Sequence, residues 1–144
     1  MSYLVKDFMI KEVNTVGHDE TVLDVSKIMA TDQSYKGYAV VLKRGKPVGI
    51  VTERDLVNKV MAKNLDPAAI SVNQIMSTPL KTIDLEDDLL KASKVMQEHG
   101  IRKLVVKRDD ILYGILTATN IAQNCSDYVD KSVKDILRWT PFMV

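Results

Sequence analysis

The chain is short of cysteine, of aromatic residues, of surplus charge and of long apolar runs, and each shortage excludes something. Its single cysteine, Cys125, excludes an intrachain disulfide and a multi-cysteine metal site, and fits a reducing compartment. Twenty basic against nineteen acidic residues leave a formal charge of +1, so no global field recruits nucleic acid or an anionic membrane. One tryptophan, two phenylalanines and five tyrosines offer little stacking surface, which also argues against nucleic acid. No apolar stretch approaches a membrane span, and the N-terminus lacks a signal peptide's apolar region. A cytoplasmic location is expected. His18 and His99 have no Cys, Asp or Glu at metal-ligand spacing, and no Gly-rich phosphate loop or nucleophile triad is visible. These shortages point away from catalysis. With 46% hydrophobic and 27% charged residues in 144, the remainder reads as one globular domain or two small halves that need each other's core.

What the chain has instead is repetition. A shift of 67 positions pairs Val5 with Val72, Met9 with Met76, Thr15 with Thr82, Ser26 with Ser93 and Met29 with Met96. A two-residue insertion near Asp32 to Tyr35 reduces the shift to 65, which pairs Val40 with Val105, Gly49 with Gly114 and Thr52 with Thr117. An internal repeat dictates architecture before any local reading. The expected organisation is repeat 1 over residues 1–62, a linker over 63–71 with an Asp-Pro pair, repeat 2 over 72–125 and a helical tail over 126–144. In the tail, Ser132 to Leu137 echoes the opening Val5 to Met9. Trp139, Pro141 and Phe142 follow it, either packed on the module or facing a partner.

Each repeat opens with a helical turn, at Lys6 to Met9 and Asn73 to Met76, and continues into an extended piece near Thr15 or Thr82. Val22, Val25, Ile28 and Met29 then mark one helical face, with Thr21 as N-cap and Asp24 three residues on. Leu89, Ala92, Val95 and Met96 repeat that stripe behind Asp88, and the preceding acidic residues suit a helix start. Two β runs joined by short polar turns, at Lys43 to Lys46 and Arg108 to Asp110, predict a hairpin in each copy. A second helix is expected from Glu53 to about Ala62 and from Ala118 to about Asn124. The unit is β-α-β-β-α, an α+β class, and the methionines fall mostly on helical core faces.

The most pointed chemistry lies where the apolar strand Gly49-Ile-Val-Thr52 meets the helix beginning Glu53-Arg54-Asp55. The first amides of a helix lack internal partners and attract anions. Thr52 contributes a hydroxyl, Arg54 a cationic fork for phosphate, and Asp55 a carboxylate suited to two ribose hydroxyls. The same Thr-x-x-Asp spacing is also a capping box, in which both side chains merely satisfy orphan amides. Thr117-Ala-Thr-Asn120 repeats the pattern with an amide in place of the carboxylate.

Two tandem β-α-β-β-α units, each closing on Gly-h-h-Thr-x-x-Asp/Asn (h apolar) and opening on V-K-D-F-M or V-N-Q-I-M, resemble a pair of CBS (cystathionine-β-synthase) domains, a Bateman module. The resemblance covers Val5 to about Asn124 and leaves no enzyme domain over, as in a stand-alone module. It implies two repeats packed with pseudo-twofold symmetry through their sheets, with two clefts that bind AMP, ADP, ATP or S-adenosylmethionine as regulatory ligands. Carried onto this chain, it implies a first cleft of Tyr38, Ala39, Thr52, Arg54, Asp55, Ser77, Leu80 and Thr82. The second would comprise Ile10, Val13, Thr15, Arg102, Lys103, Thr117, Thr119 and Asn120. Asn120 replaces a charged acceptor, which weakens a ribose contact by roughly tenfold, while Arg102 and Lys103 favour phosphate. The first cleft is therefore expected to select ribose, and the second to be weaker and weighted towards phosphate. The resemblance further implies a homodimer and a regulated partner protein. An assembly subunit with vestigial clefts is the alternative.

Overall fold

The computed structural model describes residues 3–31 and 37–124. The insertion near Asp32 to Tyr35, Cys125 and the tail with Trp139, Pro141 and Phe142 lie outside the described residues. The chain divides into two compact units, and the division does not follow the repeats. A central unit runs from Val13 to Leu80, while a flanking unit combines the stretch ending at Glu12 with the chain from Lys81 onward.

In the central unit, β1 (Thr15–Gly17) runs parallel to β2 (Tyr38–Lys43), which pairs antiparallel with β3 (Lys46–Thr52). Helix α2 (Val22–Thr31) buries Val22, Val25 and Met29, three of the four residues in the predicted stripe. Its start is a complete capping box. Thr21 Oγ1 accepts from the Asp24 amide at 3.1 Å, and Asp24 accepts from the Thr21 amide at 2.9 Å. The hairpin turn places both Arg44 and Gly45 at positive φ, matching the right-handed twist of the strands it joins.

The flanking unit repeats the plan. β4 (Thr82–Ile83) is parallel to β5 (Lys103–Arg108), which pairs antiparallel with β6 (Ile111–Thr117). Helix α4 (Leu89–His99) is capped by Asp88 and ends on Gly100 in the left-handed region, where a residue without Cβ is unstrained. Even small irregularities recur. Each hairpin shifts register at matching places, between Val41 and Leu42 and between Val106 and Lys107. Ser26 and Ser93 each donate to the carbonyl three residues earlier.

The repeats exchange their openings. The first opening turn, α1 (Val5–Phe8), belongs to the flanking unit, where Val5 is fully buried among Ile83, Leu89, Met96, Leu104 and Leu116. The second, a 3₁₀ turn over Val72–Gln74, belongs to the central unit, where Val72 and Ile75 join Val16, Val25, Val41 and Val51. Equivalent hydrogen bonds fasten both. Val22 donates to the Ile70 carbonyl at 3.0 Å, and Leu89 to the Tyr3 carbonyl at 2.9 Å, so the incoming chain satisfies a first-turn amide of each helix. Residues expected to form a linker thus close a helix start.

The exchange depends on two glycines. A Cβ on Gly49 would stand 2.6 Å from Met76 Sδ and 3.1 Å from the Ser77 carbonyl. One on Gly114 would stand 2.6 Å from the Ile10 carbonyl oxygen and 3.0 Å from Met9 Sδ. That Ile10 carbonyl also accepts the Ile115 amide at 3.0 Å, so it cannot retreat without losing a bond.

One helix departs from expectation. The segment predicted as a plain helix from Glu53 to about Ala62 is a short α3 (Glu53–Leu56) followed by a π-helical turn over Val57–Met61. Ala62 donates to Val57 and Leu65 to Val60, each five residues back. Wider turns of this kind recur at functional sites. The counterpart in the flanking unit is α5 (Ala118–Asn124), as expected. No helix among the described residues is long and apolar enough to cross a membrane.

Two predictions follow from the packing. Gly114→Ala should destabilise by about 1–3 kcal/mol, the range for overpacking, and Gly49→Ala by less because the Met76 thioether can swing aside. Urea denaturation of both variants checks the order. The second concerns Asp84, which receives the Arg108 guanidinium in a bidentate pair at 3.0 and 2.5 Å. That pairing, helped by the Glu86 amide, lowers its carboxyl from the usual 3.8 to about 2. A carboxylate depressed by folding stabilises above its unfolded pKa and loses that contribution as pH falls towards the folded one. Wild-type stability should therefore drop between about pH 4 and pH 2, and Asp84→Asn should flatten part of that slope in an acid titration followed by circular dichroism.

Candidate functional site

The end of β3 sets the geometry of the central site. Thr52 is extended at φ −119° and ψ 164°, and the chain turns directly into α3. Its hydroxyl accepts the Asp55 amide at 3.3 Å, while Asp55 Oδ2 accepts the Thr52 amide at 3.0 Å and the Thr52 hydroxyl at 3.3 Å. The capping box read from the spacing is therefore real. Its other oxygen, Oδ1, meets Lys59 Nζ at 3.0 Å, and the same ammonium donates to the Ile75 carbonyl at 2.8 Å. The Asp55 side chain is only 12% exposed against 40% for Lys59, so the carboxylate is the more enclosed partner of the pair.

Strand pairing brings the neighbouring predicted residues alongside. Tyr38 stands opposite Thr52 and Ala39 opposite Val51, both buried, and the Glu53 amide donates to the Gly37 carbonyl at 3.0 Å. Ser77 donates to Ile50 at 2.9 Å, which lays the segment after the 3₁₀ turn against β3. Arg54 is exposed on the first turn of α3, and Leu80 closes the unit half-buried. Seven of the eight residues expected in the first cleft thus fall in the central unit. Thr82 falls in the flanking one.

The flanking unit holds six of the second set: Ile10, Arg102, Lys103, Thr117, Thr119 and Asn120. Val13 and Thr15 lie in the central unit. Lys103 is opposite Thr117, and Ile10 exchanges two backbone bonds with Ile115 at 2.8 and 3.0 Å. The Ala118 amide donates to the Arg102 carbonyl at 2.9 Å, the counterpart of Glu53 and Gly37. Thr117 Oγ1 caps the Asn120 amide at 2.9 Å. The Asn120 side-chain amide, however, donates to the Phe8 carbonyl. Half-burial, and then the neighbouring Arg102 charge, push the Lys103 ammonium below its ordinary pKa. Thr119 is exposed.

A different feature of the flanking unit is an open groove of about 520 Å³, lined by Thr82, Asp84, Asp87, Lys91, Lys107 and Arg108 among others. It lies at the end of β5 away from Lys103 and Thr117. Arg108 pairs with Asp84 and Lys91 with Asp87 at 3.0 Å within that lining, and Lys107 pairs with Asp110 outside it at 3.4 Å. Among the described residues, no group of three His, Cys, Asp or Glu side chains is placed to hold a metal ion.

Lys59 and the two opening-turn carbonyls, Ile75 and Phe8, are the participants that the sequence reading passed over. Lys59 had a local signal, four residues after a carboxylate on one helical face. The carbonyls had none.

The CBS domain family model matches residues 5–62 and 72–127, and the chain belongs to that family, with two copies of the domain. It is 32% identical over 114 residues to an uncharacterized protein of Methanopyrus kandleri, covering 78% of this chain and 58% of that one. The chain thus spans little more than half of that relative's length. To the CBS domain-containing protein YhcV of Bacillus subtilis it is 31% identical over 120 residues, 83% of this chain and 84% of that one. Among solved structures, a conserved CBS domain protein of unknown function from Thermoplasma acidophilum superposes with a TM-score of 0.80 at 25% identity, covering 99% of this chain and 78% of that one. The fold is therefore the mixed α+β fold of CBS-domain pairs, with a three-stranded sheet in each unit.

The Asn120 geometry generates a prediction. Asn120→Asp replaces a donor with an acceptor facing the Phe8 carbonyl, so that carbonyl loses a donor and gains a repulsion. The variant should lose about 1–3 kcal/mol of stability, the range for an unsatisfied buried polar group. Urea melts at neutral pH measure it.

Proposed function

We propose that this chain is a non-catalytic regulatory module that binds an adenine nucleotide or another adenosyl ligand and signals through its conformation or its partner contacts. The observation that carries the reading is the placement of Asp55. A carboxylate is fixed by a complete capping box at the foot of a strand, beside a hydroxyl and one residue from a guanidinium. Ribose hydroxyls need acceptors, phosphates need donors, and this junction offers both within one turn. Tyr38, Ala39 and the Ser77–Leu80 segment supply the largely apolar surroundings for a base.

In the flanking unit, Thr117, Thr119, Arg102 and Lys103 form a second, weaker site weighted towards phosphate, because the Asn120 amide is already engaged with Phe8. A ligand shifts the module between states only through its differential affinity for them. No residue in either set has the paired base that hydrolysis requires, so the reading is of binding without turnover.

The test is a thermal-shift panel of AMP, ADP, ATP, S-adenosylmethionine and GTP on the wild type and Asp55→Asn. A ligand at a hundredfold its dissociation constant stabilises one site by about 2.7 kcal/mol, which is readily seen as a higher melting temperature. An adenosyl ligand should raise the wild-type Tm, and the roughly tenfold weakening in the variant should cut the stabilisation at the same concentration to about 1.4 kcal/mol. No shift with any member would leave Thr52 and Asp55 as caps and favour an assembly subunit. Release of phosphate from ATP, abolished in Asp55→Asn, would overturn the non-catalytic reading.

A further inference from the structure

We infer that Lys59 is a latch on the central site, which a ribose diol must displace. The inference rests on the reading of Asp55 as the ribose acceptor and deepens it. A carboxylate has about four acceptor positions. In Asp55, the Thr52 amide and hydroxyl take two on Oδ2, and Lys59 takes one on Oδ1. Two ribose hydroxyls need two positions, and one remains. One existing partner must yield.

The Thr52 amide cannot yield cheaply, because it would become an unpaired donor at a helix start. Lys59 can, since its side chain is 40% exposed and an ion pair with one partner at the surface is weak. Its departure has a second effect. The same ammonium donates to the Ile75 carbonyl at 2.8 Å, at the end of the 3₁₀ turn over Val72–Gln74. Freed, that carbonyl no longer ties the turn to the π-helical segment that carries Lys59. Occupancy of Asp55 is thereby converted into loosening of residues 72–77, the stretch whose Ser77 amide bonds β3.

Among the described residues, the flanking unit fastens its turn differently. At the equivalent carbonyl, Phe8, the donor is Asn120 itself, at the position equivalent to Asp55. One residue there does the work that Asp55 and Lys59 share in the central unit.

The experiment compares the wild type with Lys59→Met and Lys59→Arg in the full chain. AMP, ATP and S-adenosylmethionine, each carrying the diol, are titrated by calorimetry, and hydrogen exchange is followed in a peptide spanning residues 72–77. Lys59→Met should bind the effective ligand about three- to fivefold tighter, the factor expected from releasing a surface ion pair. Its 72–77 amides should exchange faster without ligand and no longer respond to it. In the wild type and Lys59→Arg, ligand should accelerate exchange there. Equal or weaker affinity in Lys59→Met would overturn the latch and leave the Thr52 hydroxyl as the group that yields. So would wild-type binding with unchanged exchange at 72–77. Failure of the wild type to bind any of the three would overturn the reading of the site itself, and the latch with it.

Discussion

The close approach of an opening turn to a glycine on a β-hairpin is the contact on which both units depend. Met76 lies on Gly49 and Met9 on Gly114, each too near for a Cβ. Because each turn brings a fully buried valine, Val72 or Val5, neither repeat can complete its core from its own contiguous stretch. A three-stranded sheet with one long helix buries little apolar area, and units of this size are marginal alone. Exchanging the opening turns supplies each core with its missing side. It also satisfies amides at the starts of α2 and α4 that would otherwise be orphans.

The exchange creates a second requirement at each site. An opening turn ends in a carbonyl, Ile75 or Phe8, that accepts a side-chain donor beside the strand–helix junction. The two units answer with different chemistry. Asn120 carries its own donor and reaches Phe8 directly. Asp55 has no proton to give, so Lys59 bridges the carboxylate and the carbonyl. Asp at this junction therefore works through a cation that bridges to the turn, whereas Asn reaches it directly. The substitution that looks at first like simple decay of a ribose acceptor is also a change in how the fold is fastened.

Much of this was legible in the sequence, for physical reasons. Helical stripes such as Val22, Val25 and Met29, hairpin turns and capping residues are local, and local periodicity reports them. Duplication amplified the signal, because each weak pattern occurred twice. The exchanged openings were visible only as motifs, since nothing in Val5 to Met9 states which sheet it will meet more than seventy residues away. The π turn over Val57–Met61 was missed because it differs from an α turn only in backbone hydrogen-bond register, which side-chain spacing over five residues does not resolve. The carbonyls of Phe8 and Ile75 were missed because a backbone acceptor looks the same under every side chain. The Asp84–Arg108 pair, 24 residues apart, is likewise a product of strand order rather than spacing.

Capping and ligand binding at Thr52 and Asp55 are not competing explanations. A binding carboxylate must be held still, or its ordering entropy is charged to every ligand it meets. The capping box does that holding, with two bonds on one oxygen of Asp55 and one on the hydroxyl of Thr52. What distinguishes a site from a cap is acceptor capacity left over. In the central unit, that capacity lies on Oδ1 and is guarded by an ammonium that can leave. In the flanking unit, Asn120 has only a neutral carbonyl to offer and its amide is already engaged with the fold. Asymmetry between two copies of one motif therefore follows from one side-chain group, a donor NH2 on the amide and an acceptor-only oxygen on the carboxylate.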